Sequence, residues 1–268
     1  MNRDTEIADR LQLAIDAGTE AGKSTLEHFC KGVSVERKAD NSPVTIADQN
    51  AERLLRKRIA EAFPNDSILG EEFGESDGDS GFRWILDPID GTKSFISGVP
   101  LYGTMVGVER DDQPCIGFVY IPALDEGVYA QRGGGAWRFT SKDKTTPAHV
   151  SDTSSLADGL FLTSEVGTFA ERDAADAFTL LQNSSYITRT WGDCYGYLLV
   201  ATGRAAAMVD PIMSVWDAAA LQPIMEEAGG TFTDWQGNPT IHGGEGVGTN
   251  GDVLDEVLAV TRAFPKPS

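Results

Sequence analysis

Trp84-Ile85-Leu86-Asp87-Pro88-Ile89-Asp90-Gly91-Thr92-Lys93-Ser94-Phe95 is the stretch that decides how this chain is read. The apolar run from Phe82 to Leu86 predicts a buried strand, with Asp87 and Asp90 where it breaks into a turn. Two carboxylates facing one point repel each other, and burying them unpaired is costly, so a hard divalent cation such as Mg²⁺ is their natural partner. Pro88 stiffens the turn, Gly91 lets the chain pass close to a ligand, and Thr92 stands at a helix start, where free backbone N–H groups attract anions. Metal and phosphate can therefore meet at one turn.

The plain alternative is an ordinary Asp-Gly turn with Thr92 as a helix cap. Two distant segments tip the balance: Gly70-Glu71-Glu72 after the short apolar run Ser67-Ile68-Leu69, and Trp216-Asp217 far downstream. Together they read as a carboxylate cage beside a phosphate cradle.

These motifs, with Pro43-Val44-Thr45-Ile46-Ala47-Asp48, Leu199-Val200-Ala201-Thr202-Gly203, Trp216-Asp217-Ala218-Ala219-Ala220 and Glu227-Ala228-Gly229-Gly230, resemble the inositol monophosphatase family in the family's order and nearly end to end. The resemblance implies a layered αβαβα sandwich mixing α+β and α/β character, a homodimer, and metal-dependent phosphate monoester hydrolysis using two or three Mg²⁺ ions, with Mn²⁺ as an alternative. It implies metal ligands at Glu71, Asp87, Asp90, Asp217 and the Ile89 carbonyl. Glu71 and Thr92 would activate a water for in-line attack, Asp48 would support Thr92, and the Gly91 and Thr92 amides would hold the phosphate. Asp48 has an alternative role in capping the helix that follows it, and Asp217 one as a helix-start acid favoured by the dipole. Ser94 stands where many members carry Asn.

Within the family, Lys93 to Thr104 and Arg189-Thr190-Trp191-Gly192-Asp193-Cys194-Tyr195-Gly196-Tyr197 are similar to the histidinol-phosphatase branch, which acts on L-histidinol phosphate in histidine biosynthesis. That substrate carries an ammonium and an imidazole that protonates near neutrality, so an acid beside the phosphate would favour it. Asp193 lies where the family binds the leaving group, against a turn or cap role, and Asp210 is a second candidate, against a turn residue before Pro211. Arg189 is a phosphate-contact candidate, against a surface salt bridge. Inositol 1-phosphate and 3′-phosphoadenosine 5′-phosphate are alternative substrates, and a noncatalytic regulator is the rival from another class.

Other phosphatase chemistries fit poorly. A cysteine enzyme needs C-x5-R, and the sixth residues after Cys30, Cys115 and Cys194 are Glu36, Ile121 and Val200. An aspartyl-phosphate enzyme shows D-x-D, whereas Asp87 and Asp90 are three apart.

Across 268 residues, 41 acids against 22 bases give a net charge of −19, which disfavours nonspecific binding to nucleic acid or anionic membranes. Three cysteines without zinc spacing, and an N-terminus with acids and no apolar core, point to a cytoplasmic protein that neither crosses nor enters a membrane. The expected partner is a small-molecule phosphate ester. His28, His149 and His242 read as surface or packing residues.

Helical spacing over 4–30 and 46–63 predicts two helices flanking a polar loop from Lys31 to Pro43, a solvated connector or a segment that moves over the site with Glu36, Arg37, Lys38 and Asp40. Short β-rich runs at 104–108, 116–121 and 127–130 predict an antiparallel meander, and Gly133-Gly134-Gly135 a turn. Beyond Val150, strands at 159–163 and 205–209 alternate with helices near 170–182, 193–203 and 216–228, which divides the chain into residues 1–150, carrying the metal motif, and 151–268, completing the site. Gly246-Val247-Gly248-Thr249-Asn250-Gly251 matches G-x-G-x-x-G by letters but reads as a loop before a last helix at 252–262.

Overall fold

The computed structural model describes residues 3–32, 35–37, 43–142 and 145–266. Its axis is the strand Phe82–Asp90, buried along nearly its whole length. Such a strand needs cover on both faces, and alternation divides its side chains accordingly. Trp84 and Leu86 join Val106, Val108 and Phe118 beneath Ala14, Ala17, Leu55 and Ile59 of the helices Arg3–Thr25 and Ile46–Ala62. Ile85, Met105 and Val119 face the other way, onto Leu198, Leu221 and Ile224 of the helices Cys194–Ala201 and Leu221–Glu227.

That strand lies in an eight-stranded sheet spanning residues 67–147. The predicted meander is present as antiparallel pairs through Gly103–Arg110, Gln113–Ile121 and Glu126–Gln131. On the other side Ser67–Gly70 pairs in parallel, with Gly70 opposite Leu86. This register delivers Glu71 and Asp87 to the same sheet end.

Leu162 and Met208 of a second, five-stranded sheet cover the far side of the middle helices. Its outer face is closed by Phe169, Leu181 and Val257, from the helices Gly167–Glu171, Ala175–Ser184 and Leu254–Thr261. The layers therefore run helix, sheet, helix, sheet, helix, as expected for an αβαβα sandwich. No helix among the described residues is long and apolar enough to cross a membrane.

Several elements differ from the sequence reading. The central strand does not stop before Asp87 but continues to Asp90 through an irregularity. Part of the polar connector forms a short antiparallel pair, Val35–Arg37 with Pro43–Thr45; Lys38 and Asp40 lie outside the described residues. The helix expected over 170–182 is two helices broken near Asp173, whose φ of 59° interrupts the helical path. The one expected over 216–228 divides into Val215–Ala218 and Leu221–Glu227. The glycine-rich tail is not a loop: Gly246–Thr249 is an interior strand of the second sheet. Its glycines answer to packing, since a Cβ on Gly248 would come 2.7 Å from the Tyr197 ring.

Close approach also binds the middle helices to the first sheet. A Cβ on Gly117 would lie 2.0 Å from the Ala220 carbonyl oxygen, just beyond the segment that carries Asp217. Gly117→Ala is therefore expected to lose about 1–3 kcal/mol of stability in urea unfolding through overpacking. An unchanged unfolding midpoint would contradict this contact.

Candidate active site

Residues three apart on a regular strand point to opposite faces, so Asp87 and Asp90 would diverge if Phe82–Asp90 were uniform. The pairing register with Gly103–Arg110 shifts between them, and the two carboxylates converge. The Ile89 N–H donates to Asp87 Oδ1 at 3.1 Å, and the Thr104 hydroxyl donates to the Pro88 carbonyl at 2.8 Å, fixing the irregular segment. Asp217 arrives from the short helix Val215–Ala218, where its Oδ2 accepts from the Ser214 N–H at 2.7 Å in a capping box. It thus fills the helix-start role and the cage position together. One oxygen from each of Asp87, Asp90 and Asp217 lies within 4.8 Å of the others.

Burial raises all three acids. Asp87 stands well above the usual carboxylate range, first through desolvation and then through repulsion from Glu71, Asp90 and Asp217. Asp90 is raised by burial and by Asp193 and Asp217, against the stabilising N–H of Cys194. Asp217 is pushed up to about 7, again chiefly by burial. Hard oxygen donors of like charge, crowded out of water, form a set suited to divalent cations.

Every site residue named from the sequence except Asp48 and Arg189 lines one cleft of about 340 Å³. Glu71 enters it one residue beyond Ser67–Gly70, its N–H bonded to the Leu86 carbonyl at 3.2 Å. Gly91, with φ 84°, turns the chain into the short helix Thr92–Ile96. The Thr92 hydroxyl donates to the Ile89 carbonyl at 3.1 Å, placing the hydroxyl beside the expected backbone ligand.

Asp193 leads into Cys194–Ala201 with φ 44° and ψ −144°, a conformation that non-glycine residues rarely adopt. Its carboxylate lies against Gly91, where a Cβ would meet Asp193 Oδ2 at 2.7 Å. Its N–H donates to Ser164 Oγ at 3.1 Å, and burial with repulsion from Asp210 lifts its pKa to about 6. Asp210 ends the strand Ala207–Asp210, and its Oδ1 accepts the Ser164 N–H at 2.9 Å.

Asp48 lies outside this lining, fully buried. Its Oδ2 accepts from the Thr45 N–H at 2.8 Å and hydroxyl at 2.6 Å, so it closes a capping box in which Thr45 is the N-cap. Asp48 Oδ1 has no hydrogen-bond partner among the described residues, and no hydrogen bond joins Asp48 to Thr92. Burial raises Asp48 to about 6. Arg189 is exposed on the edge strand Ile187–Arg189, where its guanidinium donates to the Thr188 carbonyl at 2.7 Å. It does not reach the cleft.

Among the described residues, the cation that does line the cleft is Lys93, paired across the mouth with Glu165. Neither received a role from the sequence, nor did Ser164, which ties the Asp193 backbone to the Asp210 carboxylate. A usable signal was present: Ser164 and Glu165 follow the strand Leu160–Leu162, and in α/β sheets ligands gather beyond strand carboxyl ends.

Comparison with known proteins gives a consistent set of relatives. Residues 6–264 match the sequence profile of the Inositol monophosphatase family. The chain is 44% identical over 238 residues to a histidinol-phosphatase of Chlorobaculum parvum, covering 88% of this chain and 90% of that one. It is 38% identical over 255 residues to a histidinol-phosphatase of Streptomyces coelicolor, covering 93% and 96%. Among solved structures, the IMPase of Thermotoga maritima superposes with a TM-score of 0.84 at 28% identity, over 96% of this chain and 98% of that one.

The raised acids make stability depend on pH. In metal-free protein, Asp48, Asp193 and Asp217 bind protons more tightly when folded than when unfolded, so their contribution is complete below the ordinary carboxylate range and lost as pH rises through about 6 to 7. Chelated protein should accordingly lose melting temperature between about pH 5 and about pH 8, and Mg²⁺ should restore more of it at the upper end. A flat or rising profile in chelator, measured by calorimetry, would contradict the electrostatic account of the cage.

Proposed function

This chain belongs to the inositol monophosphatase family and is a phosphoric monoester hydrolase, and from that premise we propose that it is a Mg²⁺-dependent histidinol-phosphatase, converting L-histidinol phosphate to L-histidinol. The observation that carries the substrate reading is the pair of acids beyond the phosphate turn, the partly buried Asp193 against Gly91 and the buried Asp210 near it. Burial raises both groups, and Asp210 repels Asp193 as well, so an ammonium or imidazolium placed there would stabilise their charged forms. The similarity to two histidinol-phosphatases supports the same choice.

In this reading Asp87, Asp90, Asp217, Glu71 and the Ile89 carbonyl hold the metal. Bound divalent cations supply charge neutralisation at the phosphate oxygens and the departing alkoxide. Glu71 and the Thr92 hydroxyl orient a water in line with the scissile P–O bond, and Glu71 takes its proton as the oxygen attacks phosphorus. The Gly91 and Thr92 N–H groups receive the phosphate. Asp193 and Asp210 hold the amino and imidazole end, and Lys93 with Glu165 borders the entrance. Asp48 acts at a distance, fixing the start of the helix Ile46–Ala62.

We also place the chain in the cytoplasm as a homodimer, with a division near residue 150. Cys30, Cys115 and Cys194 are all free thiols, which fits a reducing compartment. The division falls between the two sheets, so Asp87 and Asp90 come from one half and Asp217 from the other.

Purified protein should release phosphate from histidinol phosphate faster than from inositol 1-phosphate or 3′-phosphoadenosine 5′-phosphate, and chelator should abolish the release. Preference for another ester would overturn the substrate reading while leaving the hydrolase; release unaffected by chelator would overturn the metal. Asp193→Ala should lower kcat/KM for histidinol phosphate by about 10-fold or more, the scale of losing a charge-assisted contact, and less for a neutral phosphate ester. Equal losses on both would remove Asp193 from specificity.

A further inference from the structure

The helix Ile46–Ala62 buries a second acid one turn after Asp48, on the face otherwise made of Ala47, Ala51, Leu55 and Ile59. Glu52 is fully buried and faces the turn that carries Glu71. Its Oε2 accepts the Glu72 N–H at 2.8 Å, and its Oε1 accepts the Phe73 N–H at 3.2 Å. Behind it, Arg56 Nε donates to Oε1 at 2.7 Å, and the same guanidinium bonds the Gly74 carbonyl. On the near side of Glu71, a Cβ on Gly70 would come 2.0 Å from Glu52 Oε1, so only glycine admits the carboxylate there.

One buried carboxylate, itself oriented by one arginine, thus accepts the two amides that follow Glu71 and packs closely against Gly70 before it. Leaving those amide donors without an acceptor would cost free energy, so the turn follows Glu52. We infer that Glu52 is a positioning residue that aims Glu71 at the metal cage, with Arg56 orienting Glu52. The inference rests on the proposed role of Glu71 as a metal ligand. Outer groups that orient metal ligands typically govern affinity by about 10–100-fold.

The test is Mn²⁺ binding followed by electron paramagnetic resonance, without substrate, for the native chain and for Glu52→Gln, Arg56→Gln and Glu71→Gln, with the melting temperature of each metal-free protein. Glu52→Gln keeps the shape but replaces an acceptor with an amide donor facing the backbone N–H groups. It should weaken Mn²⁺ binding by about 10-fold. Arg56→Gln, at a partly exposed residue, should weaken it by a smaller factor and decides the matter if Glu52→Gln does not fold. Native Mn²⁺ affinity in the folded Glu52 variant, or in the Arg56 variant where it stands alone, overturns the inference and leaves Glu52 as a stability residue, provided Glu71→Gln is weakened. Native affinity in Glu71→Gln overturns the Glu71 reading itself, and this inference with it.

Discussion

Mutual repulsion among acids withdrawn from water is the constraint on which this structure turns. Asp87, Asp90 and Asp217 bring oxygens within 4.8 Å of one another in a chain that already carries a net charge of −19. Left to relax, such groups would separate or take up protons. Rigid attachments hold them together: a strand irregularity converges the first two, and a capping box fixes the third to a helix start. Around them the sandwich supplies apolar cover on both sheet faces. The packing free energy of those layers offsets the electrostatic cost of the metal-free cage.

The scaffold delivers these groups by converging ends. Parallel pairing of Ser67–Gly70 with Phe82–Asp90 puts Glu71 beside Asp87, and close packing of Gly107 and Gly117 against Ala219 and Ala220 seats the segment after Asp217 on the same sheet. Glu52 then extends the arrangement outward from the cleft, since one carboxylate fixes the turn after Ser67–Gly70. Three elements distant in sequence therefore share one geometric reference, the end of the central strand. Displacing any of them alters the spacing of the acids, which is where their electrostatic energy is most sensitive to distance.

The legible part of the site was the part encoded in short runs. Asp87, Asp90, Gly91 and Thr92 fall within six consecutive positions, and their types together point to cation and phosphate. The meander was legible because its apolar runs are punctuated by Asp111-Asp112 and Pro122. Illegible elements were those whose residues answer to distant partners. Gly246–Thr249 reads as a loop until Tyr197 is seen to occupy the space a side chain would need. Glu52 reads as one polar residue in an amphipathic helix, because the amides it accepts are 20 and 21 residues away. Arg189 attracted notice through its position in a motif, but an exposed edge strand carries it away from the cleft.

The same contrast separates chemistry from specificity. The proposed phosphate end is built from backbone: a left-handed Gly91, the N–H groups that follow, and a carbonyl at Ile89. Backbone geometry leaves a strong sequence signature because few residues tolerate it. The proposed leaving-group end is built from residues of three separate segments, Ser164 and Glu165, Asp193, and Asp210 at a strand end, joined by hydrogen bonds and repulsion. At Asp193 the two meet, since a carboxylate that senses Asp210 sits on a backbone conformation usually left to glycine and lies against Gly91. Glycine there would relieve the strain but remove the acid that faces the phosphate turn. Retaining Asp at that conformation favours placing the charge over local backbone stability, as expected where a site must distinguish one ester from another.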